Sequence, residues 1–523
     1  MHFRIAVWLG LVSLGFGSGC IDRCEPGFIR EGGTCVAYGV GADAGPDGGL
    51  RPDTGTAVDA GPAVDAGPGI DTGPRPDSGS TVGDTGTTPG QEGRLLIRAA
   101  AVLPMVDDQV IAPGEIYVED ERIACIGPIG ACDAMSSGAT VINSPGIALP
   151  GLIDAHNHVA YNFLPEWAPP QVFDDSAQWR ANSDYYDFVT PYRDNKGTAD
   201  SFCAMVQWGE IMSLVNGTTT VFGAPQSRTC FRWLVRNPEL STGYNGFEAD
   251  RMRTNTLGID TVGTDDAASL SAAMDAGDVT AYVIHLAEGV STRARGEFLE
   301  MRTLGLLREE AVLIHATGLE PADFEEVAAV GAKVVWSPSS NTALYQDTTN
   351  VQAALQAGVS VSIAPDWTPS GADNVLDEVR FARDLVELRW PGMLTAEDYV
   401  AMVTRIPAQQ LGIDGEVGTL QVGLFADILV VDGDAMLPYT SVMNARPNDI
   451  RLVVLNGVPS YGDPEILGVV PGVPDACYEV LACGIARNIC WEDAPTGPVS
   501  LSGVENRIQA FYAPGPEPLI DCN

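Results

Sequence analysis

The feature that most constrains this chain is a set of short apolar runs that each end in a side chain able to ligate a metal. Leu149-Pro-Gly-Leu-Ile-Asp-Ala-His-Asn-His158 carries two histidines spaced i, i+2. Thr280-Ala-Tyr-Val-Ile-His285 ends in a third, Ala311-Val-Leu-Ile-His315 in a fourth, and Val359-Ser-Val-Ser-Ile-Ala-Pro-Asp366 in an aspartate. Alternate side chains of a strand share a face, so His156 and His158 point the same way, as half of a metal site would. The chain has 5 histidines, and His2 alone stands outside this set. A single such histidine reads as an ordinary core residue. Four of them, each after an apolar strand-like run, read as ligands and catalytic groups gathered at strand ends.

The segments between these runs supply the architecture. From about 150 to 411, strand-like and helix-like stretches alternate, the pattern of parallel βα units. Ala204 to Val215 reads as a helix before Thr218-Thr-Thr-Val-Phe-Gly, and Arg253-Thr-Asn-Thr-Leu-Gly-Ile precedes a helical Ala267 to Met274. Phe324 to Val330 separates the His315 and Trp336 runs. Seven strands can be placed, and the fourth of eight cannot, because residues 260–280 leave little room for a full unit. The expected fold is α/β, an eight-stranded barrel with one degenerate unit. Short strands flank it on both sides: Arg94-Leu-Leu-Ile-Arg, Gly114-Glu-Ile-Tyr-Val-Glu, Glu121-Arg-Ile-Ala-Cys-Ile-Gly and Thr140-Val-Ile before it. Gly418-Thr-Leu-Gln-Val-Gly, Ala426-Asp-Ile-Leu-Val-Val-Asp and Arg451-Leu-Val-Val-Leu-Asn-Gly follow. Residues 93–149 and 412–464 are therefore expected to form one discontinuous β-domain around the barrel at 150–411, with a Cys-rich tail at 465–523.

The N-terminus reads as an export signal, residues 1–19: Arg4, an apolar Ile5 to Phe16, then Gly17-Ser18-Gly19 before Cys20. The Gly-Cys junction resembles a bacterial lipoprotein cleavage site, which implies a lipid on Cys20 and a cell-surface or periplasmic lipoprotein. Gly17 stands where a larger aliphatic residue is expected, so ordinary cleavage and secretion is the alternative. After a short Cys-bearing segment, a low-complexity stretch to residue 92, with Asp-Ala-Gly-Pro at 43, 59 and 65, reads as an acidic spacer that cannot bury a core. Eleven cysteines fit export, since lipidation of Cys20 leaves ten to pair. Candidate pairs are Cys24 with Cys35, Cys125 with Cys132 and Cys203 with Cys230, plus two bridges among Cys477, Cys483, Cys490 and Cys522. A zinc site is the rival for those last four, although they lack a Cys-x-x-Cys. A net charge of −40 argues against nucleic acid and against a peripheral hold on anionic lipid as partners, and it says little about the substrate, which is expected to be a small molecule.

Pro150-Gly-Leu-Ile-Asp-Ala-His-Asn-His, His285-Leu-Ala-Glu288, His315, Ser337-Pro-Ser-Ser-Asn341 and Asp366 resemble the amidohydrolase superfamily. The His-x-x-Glu is similar to its mononuclear branch of cytosine deaminase-like, S-adenosylhomocysteine deaminase-like and chlorohydrolase-like enzymes. The resemblance covers about 93 to 463 and implies a distorted (β/α)8 TIM barrel with a small β-sandwich built from both flanks. It implies that His156, His158, His285 and Asp366 bind one divalent metal, zinc by default for three imidazoles and a carboxylate, with iron or manganese as alternatives. It further implies hydroxide attack on an sp2 carbon, with Asp366 accepting the water's proton. Glu288 would carry that proton to the leaving nitrogen and His315 would stabilise the tetrahedral intermediate. A second metal bridged by a carbamylated lysine is the other arrangement in the superfamily. The only lysines are Lys196 and Lys333, and neither lies between the third strand and His285.

Nine aromatics between Tyr161 and Tyr192, Trp167 and Trp179 among them, suit either a lid that stacks a planar ligand or a loop with a small core of its own. Trp167, Trp179, Asn341 and Trp367 are the candidate substrate contacts. Trp367, directly after Asp366, narrows the pocket. The expected activity is hydrolysis of a non-peptide C–N bond, by deamination of a heterocycle or amidine or by opening of a cyclic amide. Removal of another leaving group, chlorohydrolase-like, is the alternative reaction. A surface binding protein on the same barrel is the non-catalytic alternative, and a binuclear metallopeptidase would need the lysine ligand that is missing.

Overall fold

A computed structural model describes residues 28–31, 34–37, 86–194, 199–223, 234–239, 247, 251–255, 258–474, 476–491 and 500–522. The export signal, Cys20, Cys24, nearly all of the acidic spacer, Lys196 and Cys230 lie outside the described residues. The chain divides into two compact units, Met1–Gly48 and Gly49–Asn523. In the first, β1 (Phe28–Glu31) pairs antiparallel with β2 (Thr34–Ala37).

The second unit opens with β3 (Thr87–Thr88), β4 (Gln91–Val102), β5 (Gly114–Glu119), β6 (Arg122–Pro128) and β7 (Ala139–Pro150). It then enters a run of parallel strands. β8 (Leu152–Asp154) is followed by α1 (Ser176–Arg180), α2 (Ser183–Asp194) and α3 (Ala199–Val215), and then by β9 (Thr218–Val221). β10 (Met252–Asn255) leads through α4 (Thr264–Asp275) to β11 (Ala281–Leu286), and α5 (Thr292–Thr303) leads to β12 (Ala311–His315). α6 (Pro321–Val330) precedes β13 (Lys333–Trp336). α7 (Pro338–Tyr345) and α8 (Val351–Ala357) precede β14 (Ser360–Ile363). The run closes with α9 (Val375–Arg389), α10 (Ala396–Ala401) and α11 (Arg405–Leu411).

β10 to β14 form one parallel sheet in sequence order, and β8 pairs parallel with β9. Two further parallel bridges matter. Thr220 pairs with Arg236, adding a strand position beside β9, and Asn157 pairs with Asp366, joining the end of β8 to the end of β14. β10 pairs directly with β11, so the strand that could not be placed from sequence does not lie between them. The extra position falls earlier, at Arg236. Ile153, Val283, Val312, Val335 and Ala364 share one apolar cluster among these strands.

Local chemistry explains several of these elements. Pro321 opens α6, where a missing N–H costs nothing, and Gly331 ends it at φ 77°. Asp175, Ser291, Asn350 and Asn374 each accept a backbone N–H at a helix start. Gly151 admits β9, since a Cβ there would lie 2.2 Å from Thr219 Oγ1.

The chain leaves the parallel strands through β15 (Ile428–Val431), α12 (Pro438–Met443), β16 (Ile450–Leu455) and β17 (Val458–Gly462). α13 (Pro464–Leu467), β18 (Cys477–Ala482), β19 (Ile485–Cys490) and α14 (Leu501–Gln509) complete it. Both flanks meet at β7, which pairs parallel with β4 and antiparallel with β15. The result is one hydrogen-bonded mixed sheet of 10 strands. Ile97, Val118, Ile142, Ile428 and Val454 share its core. Gly418 to Gly423 is not a strand: both glycines have positive φ, 90° and 94°, and break the extended run. The tail is not separate from the sheet, because β19 pairs with β17.

Cys125–Cys132, Cys477–Cys490 and Cys483–Cys522 are disulfides, as the spacing predicts for the first and for two bridges in the tail. Among the described residues no helix is long and apolar enough to cross a membrane.

Candidate metal centre

The C-terminal ends of the parallel strands bring His156, His158, His285, His315 and Asp366 together. His156 and His158 flank Asn157, the residue bridged to Asp366. Asp366 N–H donates to His156 O at 3.2 Å, and His158 N–H donates to Asp366 O at 2.9 Å. This extended pairing turns both imidazoles to one side, with ring centroids 5.1 Å apart. The space is tight: a Cβ on Gly223 would fall 1.8 Å from Asn157 O.

His285 lies on the same face of β11 as Ala281 and Val283, which belong to the apolar cluster of the parallel strands. His315 is different. It pairs in register with Leu286, so pleating alone would put it on the face opposite His285. Its φ of 67° takes the backbone out of the strand, and the two rings come within 5.3 Å. Asp366 (φ 73°) and Ala287 (φ 52°) also sit in the left-handed region that L-residues avoid, and such strain gathers at functional sites.

Two atoms reveal what the cluster lacks. His156 Nε2 and Asp366 Oδ1 are buried, lie 3.0 Å apart, and neither has a hydrogen-bond partner. His158 Nε2 is 3.4 Å from the same oxygen. His156, His158 and His285 hold ligand atoms within 4.8 Å of one another, as do His156, His315 and Asp366. Ligand atoms about 2.0–2.2 Å from a tetrahedral zinc lie about 3.3–3.5 Å apart, so the spacing and the orphaned atoms fit a divalent cation. Burial first, then the facing imidazoles, push His285 well below the ordinary histidine range, which keeps it neutral and able to ligate. Burial raises Asp366, but His156, His315 and His158 outweigh it and hold the carboxylate ionised.

Around these atoms the chain completes its own bonds. Ser340 Oγ donates to Asp366 Oδ2 at 2.7 Å and leaves Oδ1 toward the histidines. Trp336 Nε1 donates to Thr348 Oγ1, whose proton then goes to Asn341 Oδ1. That orients the Asn341 amide so that Nδ2 donates to His315 Nδ1 at 3.0 Å. His315 Nε2 therefore carries the ring proton, 4.0 Å from Glu288 Oε1 and 4.0 Å from Asp366 Oδ2. Asn341 is thus a buried support behind His315.

The aromatic loop packs a small core of its own. Trp167, Phe173 and Trp179 form a small core with Leu344 and Tyr345. Trp179 also faces Trp367, which stands 5.3 Å from the His158 ring and donates its indole N–H to Ser370. Tyr345 escaped the sequence reading, although it lies i+4 from Asn341 on the same helix face. Its hydroxyl donates to Glu288 Oε1 at 2.7 Å and accepts from Trp179 Nε1 at 2.8 Å. Lys333 lies at the other end of its strand, where Nζ bonds Glu309 O.

Residues 259–459 match the model of the amidohydrolase family. That stretch is an amidohydrolase-family domain covering part of the chain. The chain is 28% identical over 419 residues to a 5-methylthioadenosine/S-adenosylhomocysteine deaminase of Moorella thermoacetica, covering 70% of its own length and 93% of the relative's. A protein of the same name from Halobacterium salinarum is 25% identical over 431 residues, with 71% and 94% covered. Among solved structures, a zinc-bound adenosine deaminase from Xanthomonas campestris superposes at TM-score 0.58 and 19% identity, over 72% and 94% of the two chains. A zinc-complexed atrazine chlorohydrolase from Arthrobacter aurescens superposes at 0.56 and 19%, over 71% and 96%. These likenesses show a TIM-barrel-like α/β fold.

Proposed function

We propose that this chain hydrolyses a C–N bond at an sp2 carbon of a small heterocyclic substrate, most readily by deamination. The observation that carries the reading is the orphaned pair His156 Nε2 and Asp366 Oδ1, set beside a proton-bearing His315 and a buried Glu288. His156, His158, His285 and Asp366 would hold one divalent ion. Zinc is supported by the three imidazole donors and by the zinc-bearing neighbours. The bound ion would supply a water acidified into the neutral range. Asp366, its Oδ2 held by Ser340, accepts the proton of the attacking water. His315 Nε2–H donates to the oxygen as negative charge builds on it. Glu288 delivers a proton to the departing nitrogen. A ligating role for His315 is disfavoured because Asn341 holds its proton on Nε2.

The deaminase names of the sequence relatives favour loss of ammonia over ring opening of a cyclic amide. The strand position at Arg236 supports a complete, distorted (β/α)8 barrel. Three disulfides among the described residues support an exported chain, with the Gly19-Cys20 junction as the place of a lipid anchor or of ordinary signal cleavage.

The test is ammonia release by zinc-loaded protein from 5-methylthioadenosine, S-adenosylhomocysteine, aminopyrimidines and aminotriazines. Glu288→Gln should lower turnover by about 10²–10⁴-fold. If loaded protein frees no ammonia from any of them, deamination is wrong, and lactams and hydantoins become the next substrates to try.

A further inference from the structure

We propose that Tyr345 and Trp179 are positioning residues for Glu288, linked in a one-way hydrogen-bond chain from the aromatic loop to the proton-carrying carboxylate. The inference rests on the reading of Glu288 given above.

The direction of the chain follows from donor chemistry. An indole N–H can only donate, so the 2.8 Å contact makes Tyr345 Oη the acceptor from Trp179. The single phenolic proton must then point elsewhere, and it lies on the 2.7 Å line to Glu288 Oε1. Glu288 Oε1 is the acceptor of that proton, which gives the order Trp179 to Tyr345 to Glu288. Burial, then the Glu288 charge, push the Tyr345 phenol well above its ordinary range, so it stays a donor and does not itself exchange protons. With Oε1 occupied, Oε2 is the oxygen left to take and deliver a proton.

The backbone ties the same two regions. Asp175, the cap of α1, bridges Gly289, and Ser176 N–H donates to Glu288 O at 3.1 Å. Val290 N–H donates to Asp174 O at 2.7 Å. A Cβ on Gly289 would lie 2.4 Å from Asp174 O, so the approach depends on glycine there. Trp179, one turn into α1, is thereby held in register with the segment that carries Glu288. One face of α7 serves both catalytic groups: Asn341 aims His315, and Tyr345 aims Glu288.

The experiment compares Tyr345→Phe, Trp179→Phe, the double variant and Glu288→Gln in zinc-loaded full-length protein, on whichever compound of the ammonia panel is turned over. Loss of one hydrogen bond to a charged group should lower kcat of Tyr345→Phe by about 10–100-fold, with KM changed less than about threefold. Trp179→Phe should lower kcat by about 3–10-fold. The double variant should be no slower than Tyr345→Phe, because Trp179 acts through the hydroxyl already removed. If Glu288→Gln keeps its kcat, the reading of Glu288 fails. If Glu288→Gln is inactive while Tyr345→Phe turns over at the wild-type kcat, the positioning proposal alone fails. Additive losses in the double variant overturn the serial arrangement. A crystal structure of zinc-loaded Tyr345→Phe decides without any substrate. The Glu288 carboxylate should swing from its wild-type position, and a carboxylate that stays in place overturns the proposal.

Discussion

Charge is buried at two places in this chain on opposite terms. At the junction of the parallel strands and the mixed sheet, Arg236 is 1% exposed and reaches both Asp427 oxygens, at 2.5 and 3.1 Å. Asn456 takes a further bond, and the guanidinium lies 3.8 Å from the centre of the Phe425 ring. At the catalytic rim, His156 Nε2 and Asp366 Oδ1 face each other without a hydrogen bond, and His315 and Asp366 hold left-handed backbone. The junction is completed by the chain itself. The rim is complete only with a ligand, and its strain, on the order of 1–3 kcal/mol per residue, is borne by the rest of the fold. Stability and function are therefore lodged in different residues.

Chelation should give the largest effect. Removing the metal should cut turnover by more than about 10³-fold, since the nucleophile depends on it. It should also lower the melting temperature, because a ligand of the native state alone stabilises by mass action. One equivalent of zinc should restore both, read by metal analysis and calorimetry. Activity that survives full chelation would break the comparison at the rim, and two metals per chain would contradict a single site.

The junction should answer in the opposite way. Asp427→Ala strands a buried guanidinium and should cost about 3–5 kcal/mol in urea unfolding. The folded fraction should keep its metal content and turn over within about threefold of wild type. An Arg236→Met, Asp427→Leu double variant should recover much of the loss, since an apolar pair leaves no charge behind. A variant that loses metal in step with stability would show that the two regions are not separable.

The same contrast explains what the sequence could show. His156, His158, His285 and Asp366 were legible because each closes an apolar run, and strand periodicity predicts where such residues point. The orientation of His315 was not legible, because the register places it opposite His285 and only a positive φ at a non-glycine residue brings it back. The bond from Asn341 was not legible for a related reason: a helix starting at Pro338 sets it behind His315. The strand position at Arg236 was hidden because a buried arginine does not read as a strand until its partner, 191 residues away, is known. Gly418 to Gly423 shows the reverse error, with apolar alternation overruled by two glycines in left-handed turns.

The smallest predicted effect lies between the two regions and sharpens the boundary. Glu378 is fully buried and meets Ser339, whose neighbour Ser340 holds Asp366, yet no arginine or lysine pairs with it among its described contacts. Burial raises its carboxyl from 4.5 to about 8, against the bonds from Ser339. The folded protein therefore keeps a proton that the unfolded chain releases above about pH 4.5. Its contribution to stability is full below that pH and is lost as pH rises toward about 8. For one proton the slope is up to about 1.4 kcal/mol per pH unit. Glu378→Gln, which cannot ionise, should flatten the urea-unfolding profile by that amount between pH 5 and 8 and leave the metal in place. An unchanged slope would mean that Glu378 is ionised in the fold. Its charge would then belong with the rim's unfinished electrostatics rather than with the self-sufficient packing beneath it.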